Sequence, residues 1–207
     1  MTTKRDRSLS IKTEIEIEVR DKNGKLIEYK RFPSHSWVKN FLAALRGLFA
    51  GGLTYEVDQI RDLDGVPHSY PAMSSTYLRI LVAVGGAGQD NKGILFGTGD
   101  TPVTPDDYDL ASRILEGTGS NQMNYGNTTL EEITAITNGY QFRIVRTATN
   151  NSGASITVKE IGLAANYAHK SDGEVYFLLA RDVLPSAITV SNGSTLTVRY
   201  IISFTVS

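Results

Sequence analysis

The sequence predicts a mainly β fold, an antiparallel β-sandwich of jelly-roll-like type with one N-terminal amphipathic helix and a short second helix. Three observations carry that prediction. Residues 11–20 alternate strictly between apolar or small and charged side chains, the period-two signature of a half-buried strand. From residue 130 onward six short β-type segments follow one another, separated by Asn-Gly, Asn-Ser-Gly and Asp-Gly turn signals. One segment, residues 35–50, has the length and spacing of a long helix. With 207 residues and no internal repeat, the chain is expected to form a single sandwich domain over residues 11–207, with residues 1–10 as a flexible arm.

In the first strand Ile11, Thr13, Ile15, Ile17 and Val19 share one face, and Lys12, Glu14, Glu16 and Glu18 share the other. Asp21-Lys22-Asn23-Gly24 then predicts a tight hairpin, because Asn-Gly tolerates the positive φ that two-residue turns require, and residues 25–32 form the return strand. Ser34 or Ser36 is placed to cap the helix and Gly51-Gly52 to end it. At about 100° per residue, Ala44, Trp37, Leu48, Phe41, Leu45, Val38, Phe49 and Leu42 fill an arc of about 160°, with Arg46, Lys39 and Asn40 outside it. An arc this wide either packs wholly on the sheet or meets a neighbouring molecule along part of its width. Trp37, Phe41 and Leu48 are the candidate contact residues, since aromatic side chains concentrate in interface cores.

Residues 53–76 read as a long irregular connection, TYLRILVAVGG as a buried strand, GILFG at 93–97 as a short one, and residues 117–127 as a polar surface loop. The short second helix is expected after Thr104 as N-cap. Pro105 suits its first position, Asp106 and Asp107 its first turn, and Leu110, Ile114 and Leu115 its apolar face. The last strand places Leu196, Val198, Tyr200, Ile202, Phe204 and Val206 on one side.

Chemistry is hard to find in the chain. It has no cysteine, which excludes disulfides, thiolate zinc sites and thiol catalysis. His35, His68 and His169 form no pair at metal-binding spacing, and no G-x-S-x-G elbow is present. The loop GTGDTP at 97–102 lacks the lysine of a phosphate loop, and Pro102 stands where the dinucleotide pattern needs glycine. Asp100, Asp106, Asp107 and Asp109 form the best metal-like cluster, but the start of a helix accounts for them more simply, and Asp62-Leu63-Asp64-Gly65 lacks the spacing of an EF-hand loop. The expectation is therefore a protein that is not an enzyme, with no catalytic residue, no metal ligand and no cofactor.

The formal net charge of −1 argues against a general nucleic-acid partner. It is unevenly spread: net +5 over residues 1–50, −8 over 51–139 and +2 over the remainder. Such segregation either gives complementary faces that fix the register of neighbouring subunits or mixes on one surface when the chain folds. Arg5 and Arg7, beside Lys4 in the arm, are candidate contacts that order on assembly. No apolar leader and no membrane-length stretch is visible, so synthesis in the host cytoplasm and no membrane partner are expected.

Two stretches carry a family resemblance. GILFGTGDTPVTPDDYDLASRI, with its G-x-G-x-x-P turn and T-P-x-D-Y-x-L helix start, resembles a segment of small β-rich structural proteins of tailed phages. The C-terminal RTATNNSGASITVKEIGLAA and EVYFLLARDVLPSAITVSNGSTLTVRYIISF resemble the same proteins, which have a strand ending in N-x-[ST]-G, an I-T-V-x-E-I-G-L strand, L-L-A-R-D and a final long strand. The resemblance implies a virion component without catalytic residues, a capsid decoration or minor capsid protein or else a tail or baseplate protein. Its partners would be copies of itself, as a homo-oligomer, and other virion proteins. The alternative is a receptor- or glycan-binding module, in which Tyr55, Tyr70 and Tyr125 on the 53–76 and 117–127 loops stack on sugar rings.

Overall fold

Alternation in the sequence becomes alternation in burial. The computed structural model describes residues 9–34, 36–49, 56–71, 77–169 and 173–206; for residues 9, 56–58, 69–71, 77–80 and 168–169 it describes the backbone alone. Strand β1 (Leu9–Arg20) buries Ile15, Ile17 and Val19 and turns Glu14, Glu16 and Glu18 to the wetter face. Gly24, at φ 81°, closes the expected turn into β2 (Leu26–Ser34). Helix α1 (Lys39–Phe49) follows, then the hairpin β3 (Glu56–Arg61) and β4 (Pro67–Pro71), and then β5 (Tyr77–Val82), β6 (Gly93–Gly97), β7 (Leu115–Glu116), β8 (Gln122–Leu130) and β9 (Thr134–Ile136). Four long strands complete the chain: β10 (Gly139–Thr149), β11 (Ile156–His169), β12 (Gly173–Val190) and β13 (Thr195–Val206).

The fold is mainly β. A first sheet runs β2-β1-β13-β10-β8-β7, with β9 beside β10; a second runs β12-β11-β5, with β6 also on β11. Pairing is antiparallel except between β7 and β8. Both sheets feed one core, in which Ile15, Ile17, Val198 and Tyr200 meet Ile161, Leu163, Phe177 and Leu179. A smaller cluster, Leu95, Ala164 and Leu178 with Val38, Leu63 and Leu110, covers the other face of the second sheet. Burial on both faces explains why GILFG reads as an unbroken apolar run.

The last four strands form one long hairpin folded over on itself. β10 pairs with β13 in the first sheet and β11 with β12 in the second, so the connections β10–β11 and β12–β13 bend together. Asn150 holds that bend. Its side-chain amide donates to the carbonyls of Ala154 at 2.8 Å and Val190 at 2.7 Å, and its side-chain oxygen accepts from the Ser152 amide and hydroxyl. Gly153 in the same bend has a φ of 84°, which favours glycine. The N-x-[ST]-G signature is thus the chemistry of a corner.

Several expectations are corrected. The second helix is absent: Thr104 and Asp107 do bond one another, but residues 104–115 form turns and the start of β7. The amides of Ala111 and Ser112, which a helix needs for its own ladder, donate instead to the carboxylate of Glu160 at 3.0 and 2.8 Å. The described part of 53–76 contains the β3–β4 hairpin, and 122–127 belongs to β8. EVYFLLARDV and AITV are one strand, β12, whose register shifts around Leu184 to Ala187. Finally, α1 starts at Lys39, and Ser36 to Val38 run extended along β12, with the Val38 amide on the Leu179 carbonyl and the Arg181 amide on the Ser36 carbonyl, each at 3.0 Å.

Candidate functional site

The residues that looked most like chemistry are used inside the fold. Glu160, fully buried on β11, accepts from the Gly99 amide at 3.0 Å, the Ala111 and Ser112 amides, and Arg181 Nε at 2.7 Å. Arg181 also donates to Asp107 Oδ2 at 2.8 Å and to the Thr101 carbonyl and hydroxyl at 3.0 Å. A side chain at Gly97 or Gly99 would run into the Glu160 carboxylate. The glycine loop does hold an anion, but the anion is the protein's own glutamate. Burial pushes the Asp107 carboxyl up, yet the bonds from Arg181 and Thr104 hold it below the usual range. The loop at 97–112 is therefore joined to β11 and β12 through one hydrogen-bonded network.

A second buried cation organises the loop before β6. Arg146 spends all five of its donors on carbonyl oxygens, those of Gly126, Lys92, Ile94, Gly86 and Gln89, and lies 4.6 Å from the centroid of the Tyr125 ring. Burial lowers its pKa to about 10, so it stays charged at neutral pH. Tyr125 is itself buried, donating its hydroxyl to the Ile114 carbonyl at 2.7 Å and accepting from the Phe96 amide, which corrects the expectation that it stacks on a sugar. Tyr55 lies outside the described residues, as does the side chain of Tyr70.

Folding pairs charges both within the segregated segments and between them and the C-terminal part of the chain. On the outer face of the first sheet Glu14 meets Arg31 at 2.7 Å, and Glu16 and Glu18 meet Arg199; on β2, in register with Val19 and Ile17, Glu28 meets Lys30. Of the acidic stretch, Asp62 pairs with His68, Asp100 with Lys159, Asp107 with Arg181 and Asp109 with Arg113. His35 and the side chain of His169 lie outside the described residues.

What remains uncovered at the end of the first sheet is apolar. Burial on the inner face of the first sheet falls away towards one end: Val198 and Tyr200 are buried, Ile202 is partly buried, and Phe204 and Val206 are exposed. The paired residues behave alike, with Ile11 exposed opposite Phe204 on β1 and Tyr140 exposed opposite it on β10. Three central strands thus lose their cover at the same place. Beside them stands α1, and between the two lies a groove of about 870 Å³ lined by Ile11, Thr13, Phe142 and Ile202 on one wall and Trp37, Phe41 and Leu45 on the other.

The hydrophobic arc is divided: Val38 and Ala44 are buried, Trp37 and Phe41 pack against the core while lining the groove, and Leu42, Leu48 and Phe49 are exposed. The buried residues of α1 are Asn40, Ala43, Ala44 and Gly47, a small-residue face rotated on the order of 100° from the apolar arc. Asn40, expected outside the arc and wet, is buried, and its amide grips the Arg61 backbone with bonds of 2.8 and 3.1 Å. Trp37 and Phe41 stack at 4.0 Å between ring centroids in the groove wall. Leu48 is exposed, and Arg5 and Arg7 lie outside the described residues. Ile11, Tyr140, Phe204 and Val206 were not singled out from sequence. At the polar edge Ser34 donates to the buried Asp182 carboxylate at 2.8 Å, as does Tyr200 at 3.2 Å.

Among the described residues no helix is long and apolar enough to cross a membrane. Comparison of the chain with known proteins finds no family model that matches it, no matching curated protein and no matching solved structure.

Proposed function

We propose that this protein is a non-enzymatic structural component of a viral particle, a capsid decoration or minor capsid protein or else a tail or baseplate component. It acts by self-assembly and by contact with neighbouring virion proteins. The observation that carries this reading is the uncovered apolar end of the first sheet, where Ile11, Phe204 and Val206 face outward beside the exposed side of α1. Large contiguous apolar patches on a soluble chain mark contact surfaces. Modest contacts of this kind become strong when each copy touches several neighbours.

Two further features support it. The polar residues of the phage-like stretches, Asp107, Asn150, Glu160 and Arg181, are consumed in holding corners and loops, as suits a scaffold. The folded-over hairpin β10–β13 is the winding from which a jelly-roll-like sandwich is built, and we take the fold in that finer sense.

The test is the protein content of purified particles from the source of this sequence, by mass spectrometry and gold-labelled antibody. The expected result is the chain at a fixed, stoichiometric copy number on capsid or tail. Recovery in the soluble fraction only, with none on particles, would overturn the reading.

A further inference from the structure

Exposed apolar residues stand on both sides of one groove, and from that geometry we infer that the uncovered end is a self-association surface, where two copies pack about a two-fold axis. Given the structural role proposed above, on which this assignment depends, the first partner is a second copy of the chain.

The surface is formed by Leu42, 65% exposed, and Phe49, 83% exposed, on α1, and, across the groove, by Ile11, 74% exposed, at the end of β1. Leu48, Tyr140, Phe204 and Val206 extend it at exposures between 40 and 50%. The seven residues expose on the order of 800 Å² between them, about what each partner of a standard-size interface buries. The groove beside them is walled by Trp37, Phe41 and Leu45.

A small ligand in the groove would cover that wall and leave Leu42 and Phe49 in water, so the area calls for a macromolecule. In a two-fold interface the same patch meets itself, so a patch that is apolar on both sides of its groove can pack against its own copy. Its charge fits a copy of itself as well. Of the charged residues that line the groove, Glu14 is already paired with Arg31 and Lys12 is the other, so the groove neither selects a strongly charged partner nor repels its own kind.

The experiment is sedimentation velocity on the full chain across a concentration series, with Phe49→Asp and Ile11→Asp as disrupting variants and Ile27→Asp as control. Ile27 is 57% exposed near the opposite end of the β1–β2 pair. The wild type and Ile27→Asp should form a dimer, and each disrupting variant should raise its dissociation constant at least about a hundredfold. Unchanged thermal unfolding of the variants verifies that folding is intact. Because the chain has no cysteine, Leu42→Cys adds a single thiol, whose labelling should slow as protein concentration rises. A monomer at every concentration, or an oligomer indifferent to both aspartate substitutions, overturns the assignment. Either result leaves the particle role to be decided by particle composition alone.

Discussion

Glu160 sits among four donors, three of them backbone amides and the fourth a buried guanidinium. Buried charges persist when paired and fully bonded, and they become costly when one partner is removed. Glu160→Ala leaves Arg181 with Asp107 and Thr101 and strands three amides, so it should lower the unfolding free energy by about 3–5 kcal/mol in urea denaturation. A loss under about 1 kcal/mol would mean that the network contributes little. Asp109 has the opposite sign. Burial pushes its carboxyl up to about 6, and Arg113, 3.7 Å away, offsets only part of that. Since the unfolded value is about 3.9, the native state holds the Asp109 proton more tightly than the unfolded chain does. Its charge therefore weakens the fold as pH rises from about 4 to above 6, and the penalty vanishes on acidification. Asp109→Asn keeps an oxygen for the Leu110 amide and removes the charge. It should stabilise by about 1–3 kcal/mol at neutral pH and by almost nothing near pH 4. Equal gains at both pH values would rule out charge as the cause.

At the scale of elements, α1 separates two roles that usually coincide on one helix face. Its inward face is small and is anchored by one polar residue, so Asn40→Ala should cost about 1–3 kcal/mol through the unpaired Arg61 backbone groups. Phe49→Asp on the exposed side should change thermal stability by less than about 0.5 kcal/mol. The reverse ranking in thermal unfolding would place the apolar arc in the core after all. The periodicity of α1 was legible in the sequence, and so were Trp37 and Phe41 as its prominent aromatics. Which side faces inward was not, because Ala43 and Gly47 bury well without a strong hydrophobic signal and Asn40 is polar. The failed second helix has a different cause. Thr104, Pro105 and Asp107 supply correct local capping chemistry, but Glu160, about fifty residues away, takes the amides that would continue the turn. Local rules have no access to such a competitor.

At the scale of the molecule, strand existence was legible wherever one face is wet and a turn follows, as in β1, β2, β10 and β13. Where each sheet ends was not, because Ile11 and Phe204 keep the same period-two phase as Ile17 and Val198 whether or not anything lies above them. Nor was β8, whose polar, asparagine-rich run hides the buried side chains Met123, Tyr125 and Thr128. The same topology sets the order of stability. β13 lies between β1 and β10, bonded on both sides along nearly its whole length, and its inner residues Val198 and Tyr200 are fully buried. Releasing its amides requires parting strands that are close to two hundred residues apart in the chain, which is to say unfolding both halves of the sheet. Among the described residues β3 and β4 pair only with each other; the hairpin leans on α1 through Asn40, and its turn makes one backbone bond to β12, from the Leu63 amide to the Tyr176 carbonyl. Local opening there breaks few long-range pairs. Native-state hydrogen exchange should therefore show β13 amides exchanging only through global unfolding, with a free energy that responds fully to denaturant. The β3–β4 amides should exchange through a smaller, nearly denaturant-independent opening. If the hairpin amides were protected as strongly as those of β13, the molecule would unfold as one undivided unit, and the hairpin and α1 would belong to its most stable part.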